Sequence, residues 1–141
     1  MKYVLDSSVA FKWEIAEPHS DKANRLRDDF QKKIHQFIAP EFFPFELAHA
    51  LTRAERQGRI AVGQAKLFWT DAMTTAPSLL ATLTLAERAI DISSKARIGV
   101  YDCLYVALAE QEKCEFVTAD DKLVNKLQAQ FPFIVDLKTL P

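Results

Sequence analysis

Four acidic residues sit in apolar stretches that have no ordinary use for charge: Asp6 in "VLDSSV", Glu46 in "FPFELAHAL", Asp102 in "VYDCLYVAL" and Asp120 in "FVTADDKL". A buried carboxylate is costly unless something neutralises it. Two carboxylates about 4 Å apart repel by about 4 kcal/mol at an effective dielectric near 20. If the four converge, a divalent cation relieves the repulsion. Hard oxygen donors without imidazole or thiolate favour Mg²⁺, with Mn²⁺ as a substitute, over zinc. A cation held this way keeps waters, can activate one as a nucleophile and stabilises charge on a phosphoryl group, which suits phosphodiester hydrolysis. Each acid alone also has a structural reading. Asp6, Asp102 and Asp120 are good N-cap types, and Glu46 suits the first turn of a helix. Four caps need not point at one place, and spacing alone does not prove that these four do.

The elements that would position them alternate. Residues 2–5 are a short β-prone run, and 7–13 a short helix introduced by Ser7 and Ser8. Residues 19–33 read as an exposed helix and 37–39 as a strand closed by Pro40. The next helix carries Phe43, Leu47, Ala50, Leu51 and Ala54 at helical spacing, tolerates Pro44 only in its first turn, and stops at Gly58. Helices are expected over 62–75, 85–97, 101–113 and 121–130, and strands over 79–85, 115–118 and 133–137. Short apolar strands alternating with helices imply a three-layer α/β/α domain around a central, mostly parallel sheet. Ligands in such sheets lie beyond the carboxyl ends of the strands, where Asp6 and Asp120 fall.

With 141 residues and no linker or repeat, residues 1–141 read as one domain. A hydrophobic share of 49 % against 26 % charged excludes a disordered chain. The apolar run at the N-terminus is too short for a signal peptide or membrane span, so no membrane association and a cytoplasmic location are expected. A net charge of -1 gives no global field for nucleic acid, though it can hide an acidic pocket beside a basic rim. Cys103 and Cys114 fall on one expected helix, roughly 16 Å apart at about 1.5 Å per residue. That is too far for a disulfide, so both are read as buried, reduced bystanders.

"YVLDSSVAFKW", "APEFFPFELAHAL", "YDCLYVALAE" and "FVTADDKL", in that order, resemble the PIN-domain ribonucleases, most closely the VapC-type toxins of toxin–antitoxin modules. The likeness runs from residue 2 to about residue 136. It implies an acidic Mg²⁺ site that cuts RNA (tRNA, rRNA or mRNA), with Asp6, Glu46, Asp102 and Asp120 as catalytic and metal-binding residues. It also implies an antitoxin partner and a homodimer. Ser8 matches a small hydroxyl residue near the first aspartate, and a hydrogen bond from Ser8 to Asp6 is expected. The family often has asparagine three residues after the glutamate. Here His49 stands there, on the same helix face as Glu46. Cys103 replaces the usual alanine after the third acid.

Adjacent residues entering a helix point about 100° apart, so Asp120 and Asp121 cannot serve one ion equally. Asp120 follows the strand and takes the catalytic assignment. Asp121 lies three residues after Thr118, as in a capping box, and is read as mainly structural; Thr118 and Asp121 are also supporting candidates for the site. An acidic pocket needs a positive rim to hold RNA. Arg53, Arg56 and Arg97 are the preferred candidates, with Lys12, Lys95 and Lys122 behind them. Phe11, Trp13, Phe42, Phe43 and Phe45 are core by default, or in part a groove for a partner helix. Other readings fit less well. A haloacid-dehalogenase-like phosphatase needs an acid where Ser8 stands, and a receiver domain needs an acid pair after the first strand. A non-catalytic PIN-like scaffold that binds RNA or protein is the alternative to the enzyme.

Overall fold

The computed structural model describes residues 1–141. Five strands form one sheet: β1 (Lys2–Leu5), β2 (Gln36–Pro40), β3 (Ser78–Leu80), β4 (Glu115–Thr118) and β5 (Ile134–Asp136). Their order is β3-β2-β1-β4-β5, and every pairing is parallel, so the sheet is wholly rather than mostly parallel. Seven helices connect and cover it: α1 (Ser7–Glu14), α2 (Ser20–Gln31), α3 (Phe43–Arg56), α4 (Gln64–Met73), α5 (Ala86–Ala96), α6 (Val100–Glu112) and α7 (Asp121–Leu127).

Successive strand residues point to opposite faces. In β1, Tyr3, Val4 and Leu5 are all buried, so both faces of the sheet are covered and the architecture is three-layered. On one side α6 packs on β1, β2 and β4, with α5 against it; α1 packs on β4 and gathers α2, α3 and α4. The core is one cluster that includes Leu5, Phe37, Phe43, Leu51, Leu108 and Phe116.

Two departures from the sequence reading have local causes. The apolar run at 79–85 yields only β3, followed by a 3₁₀ turn over Leu83–Leu85. Glu41 explains the break, because its carboxylate accepts from both the N–H (3.1 Å) and the hydroxyl (2.8 Å) of Thr82 and stops the ladder there. Cys114 lies beyond the end of α6, after Lys113 in the left-handed region (φ 52°), and is half-buried. Cys103 is buried as expected, and both thiols are free.

Pro44 falls at the start of α3, where its missing N–H is harmless. The helix ends at Gly58 (φ 74°). There the N–H groups of Gly58 and Arg59 donate to the carbonyls of Glu55 and Ala54, at 3.0 and 2.9 Å, the pairing of a Schellman motif. This reversal carries Arg59 back over the chain.

The connection from β1 leads to β2 on one side, and β4 returns on the other. The sheet's switch point therefore lies between the carboxyl ends of β1 and β4, where open parallel sheets place their sites. Asp6 follows β1 and Asp120 follows β4 there. The Asp6 N–H donates to the Val117 carbonyl over 3.0 Å, which ties the two strand ends together.

Candidate active site

A cleft of about 600 Å³ opens at the switch point, and Asp6, Glu46, Asp102 and Asp120 all line it. Asp6 is the deepest, 5 % exposed. It is the N-cap residue of α1 but makes no side-chain capping bond. Instead its Oδ2 accepts from the hydroxyls of Ser8 (2.8 Å) and Thr118 (2.6 Å), leaving Oδ1 without a side-chain donor. Ser8 in turn accepts from the Ala119 N–H at 3.0 Å, and Thr118 from the Asp120 N–H at 3.1 Å. These bonds bind the ends of β1 and β4 to one carboxylate.

Glu46 is built the same way. Its Oε1 accepts from the Tyr105 hydroxyl at 2.7 Å and from the Ser7 hydroxyl at 3.5 Å, and Oε2 has no side-chain donor. Asp120 caps α7, its Oδ1 accepting from the N–H groups of Lys122 (3.0 Å) and Leu123 (3.2 Å). The capping reading of Asp120 therefore holds, and the residue also lines the cleft. Asp102 is not a cap: Gly99 is the N-cap of α6, and Asp102 sits in its first turn. Three acids are thus each anchored through one oxygen, with the other free of such donors.

The crowding shows in their proton affinities. Burial first, and then the charge of Asp120, push Asp6 above the usual carboxylate range, against the lowering effect of its hydroxyl donors. Glu46 is pushed up to about 7, first by burial and then by the charges of Asp6 and Asp102, with the Tyr105 bond opposing. Asp102 is also pushed up to about 7, by burial and then by Asp6 and Asp120, and Lys122 lowers it only in part. These acids lack adequate positive partners.

Three comparisons with known proteins place this chain. A family model described as the PIN domain matches residues 3–127. The chain belongs to the PIN-domain family. Within it, this PIN-domain chain is 32 % identical over 96 residues to the VapC ribonuclease Mb0985 of Mycobacterium bovis, covering 68 % of this chain and 74 % of that protein. It is identical to the same extent to ribonuclease VapC9 of Mycobacterium tuberculosis. The expected kinship with VapC-type members is therefore correct. The crystal structure of PAE2754 from Pyrobaculum aerophilum superposes with a TM-score of 0.69 at 20 % identity, covering 99 % of this chain and 94 % of that one, a likeness of fold.

The remaining expected residues divide. Ser8 and Thr118 hold Asp6 as described. His49 is exposed on the cleft wall, one turn beyond Glu46. Asp121 is not part of this cleft. Its carboxylate turns outward to Lys138 (3.4 Å) and borders a neighbouring cavity, and Thr118 takes no part in a capping box because Asp120 is the cap. Of the basic candidates, Arg53 and Lys12 line the cleft, and Arg56, Arg97, Lys95 and Lys122 do not. Arg97 ends α5 in the left-handed region (φ 58°) and spends its carbonyl on Lys126.

Sequence reasoning missed Tyr105, Ser7, Glu17 and Arg59. Tyr105 had a usable signal: it lies three residues after Asp102 on α6, hence on the same helix face. Arg59 and Glu17 had none, because the Gly58 turn and the α1–α2 connection bring them in.

No group of three or more His, Cys, Asp or Glu side chains is gathered into a ready ion cage. The donor set nonetheless fits a hard cation. It is all carboxylate oxygen, partly pre-oriented and short of positive charge. Mg²⁺ is commonly held by only one or two carboxylates while keeping several waters.

Proposed function

We propose that the protein is a Mg²⁺-dependent endoribonuclease, the toxin of a toxin–antitoxin pair. The observation that carries this reading is the convergence of Asp6, Glu46, Asp102 and Asp120 on one cleft with too little positive charge to balance them. The names of the VapC ribonucleases it resembles supply the substrate class.

Asp6 and Asp102 are the principal residues to hold the cation, with Glu46 and Asp120 completing the set directly or through water; Mn²⁺ can substitute. Such a cation supplies an activated water and charge stabilisation at the phosphoryl group. The chain's own residues do the positioning. Ser8 and Thr118 fix the Asp6 carboxylate. Tyr105 and Ser7 fix Glu46 and favour its charged form. The α7 cap fixes one Asp120 oxygen and leaves the second without a donor. The basic wall, including Arg53, offsets repulsion between the acidic floor and the RNA backbone.

The partners in this reading are RNA and a cognate antitoxin, with self-association as a homodimer. Phe45 is 77 % and Tyr101 58 % exposed beside the partly covered Phe42, an apolar surface near the start of the Glu46 helix that suits a protein partner. No helix is long and apolar enough to cross a membrane, and the proposed site of action is the cytoplasm.

The test is cleavage of a mixed tRNA and rRNA pool by antitoxin-free protein, with Mg²⁺ or EDTA, comparing wild type with Asp6→Asn and Asp102→Asn. Discrete fragments that need both metal and acids are expected. Binding without any cleavage by folded wild type would turn the reading to a non-catalytic scaffold. Cleavage surviving both substitutions would show that the assigned acids are wrong.

A further inference from the structure

The lip of the cleft carries a second charge arrangement that the carboxylate floor does not explain. Glu17, in the connection from α1 to α2, is bridged by two cations, one on each oxygen. Lys12 Nζ lies 3.2 Å from Oε1, and an Arg59 guanidinium nitrogen lies 2.9 Å from Oε2. All three residues line the same cleft as the four acids. The two cations are pre-placed. The Lys12 side chain is only 13 % exposed, and its ammonium also donates to the Pro18 carbonyl at 3.0 Å. The Arg59 guanidinium lies 5.6 Å from the centre of the Phe11 ring, delivered there by the Gly58 turn.

We infer that Lys12 and Arg59 form a phosphate-binding subsite on the lip of the cleft, which the Glu17 carboxylate fills in the free protein and an RNA phosphodiester takes over by displacing it. A carboxylate presents two anionic oxygens to a lysine and an arginine much as a phosphodiester presents its two non-bridging oxygens. The Arg59 side chain is 41 % exposed, so its pair with Glu17 is the one most readily exchanged. Arg53, on the same cleft wall, is in no ion pair within 4.0 Å and extends the positive track. The inference rests on the nuclease reading for the identity of the strand. Glu17 is well placed for release because its side chain does not hold the turn. The backbone does: the Glu17 N–H donates to Ser20 Oγ (2.9 Å), and the Ser20 N–H to the Glu17 carbonyl (3.1 Å).

The experiment is fluorescence anisotropy with a short, uncleavable 2′-O-methyl oligoribonucleotide in Mg²⁺ buffer over a range of salt. Glu17→Gln and Glu17→Ala are expected to bind on the order of three- to tenfold tighter at low salt, with a log–log salt slope steeper by about 0.7 for each cation released. Adding Arg59→Ala to Glu17→Gln should remove the gain. Glu87→Gln, which deletes the same charge on α5 away from the cleft, should give none. Unchanged affinity and slope in folded Glu17 variants overturns the proposal. So does an equal gain in Glu87→Gln, which would mark a general charge effect. A gain seen only as thermal protection by inorganic phosphate, with none for the oligonucleotide, assigns the lip to free phosphate and also overturns it. Cleavage by wild type is scored separately: its failure removes the nuclease reading, whereas intact cleavage with unchanged binding removes the lip subsite alone.

Discussion

Tyr105 donates a 2.7 Å hydrogen bond to Glu46 across 59 residues of sequence. The bond joins α6 to α3 behind the cleft wall: Glu46 lines the cleft, and Tyr105 is fully buried. It orients one carboxylate oxygen and favours the charged form of an acid that burial would otherwise protonate. The Tyr105 ring is itself fixed, edge-on to Phe42 at 5.5 Å and stacked on Phe116 at 5.4 Å.

Tyr105→Phe keeps those ring contacts and deletes only the donor. It is expected to lower stability by about 1 kcal/mol and to weaken Mg²⁺ affinity or cleavage roughly tenfold. Urea unfolding and Mn²⁺ titration would measure the two effects. Unchanged metal affinity would mean that the bond serves only the fold.

Asp6→Asn can retain both hydroxyl bonds through its amide oxygen while removing a buried charge next to other acids. In EDTA it should melt at or above the wild-type temperature. Mg²⁺ at about a hundredfold excess over its Kd should stabilise wild type by about 2.7 kcal/mol and the variant far less. A variant that melts lower in EDTA and still gains from Mg²⁺ would contradict the placement of Asp6 at the centre of the site.

Asp120 does two jobs that chemistry can separate. Asp120→Asn keeps an oxygen for the Lys122 and Leu123 N–H groups, so stability should hold while cleavage falls. Asp120→Ala should lose cleavage and also about 1 kcal/mol of stability. Thermal melts and RNA cleavage on both variants decide it. Full activity in the asparagine variant would reduce Asp120 to a cap.

Glu14 supplies a pH dependence away from the cleft. Burial, and then Asp71, push it up to about 7 from an ordinary 4.5, although Arg27 lies 3.4 Å away. The folded state thus holds its proton more tightly than the unfolded state. The stabilisation from that proton is present below about 4.5 and is lost as pH rises through about 7. Glu14→Gln should therefore gain on wild type as the pH is raised through this window. Urea unfolding at both ends would show it, and a pH-independent difference would refute it.

The acids, their places after β1 and β4 and in the first turns of α3 and α6, and the alternation that makes a parallel sheet were all legible in the sequence. Local rules govern them: strand and helix periods, turn residues, and the expense of a carboxylate among apolar neighbours. The family resemblance together with helical spacing puts His49 beside Glu46, and it lines the cleft. What spacing could not reach was the direction in which side chains project once elements pack. Asp121 leaves the site because the cap geometry of Asp120 turns it outward. Arg56 and Arg97 miss the cleft, and Arg59 enters it through one glycine turn. Tyr105 reaches Glu46, and Glu17 bridges Lys12 and Arg59, only because distant segments meet. The residue types and their periodicity belong to the chain itself, because they depend on near neighbours. The shared cleft, its anchored oxygens and its basic lip depend on how helices pack and how connections cross at the sheet's switch point, and only the tertiary structure decided those.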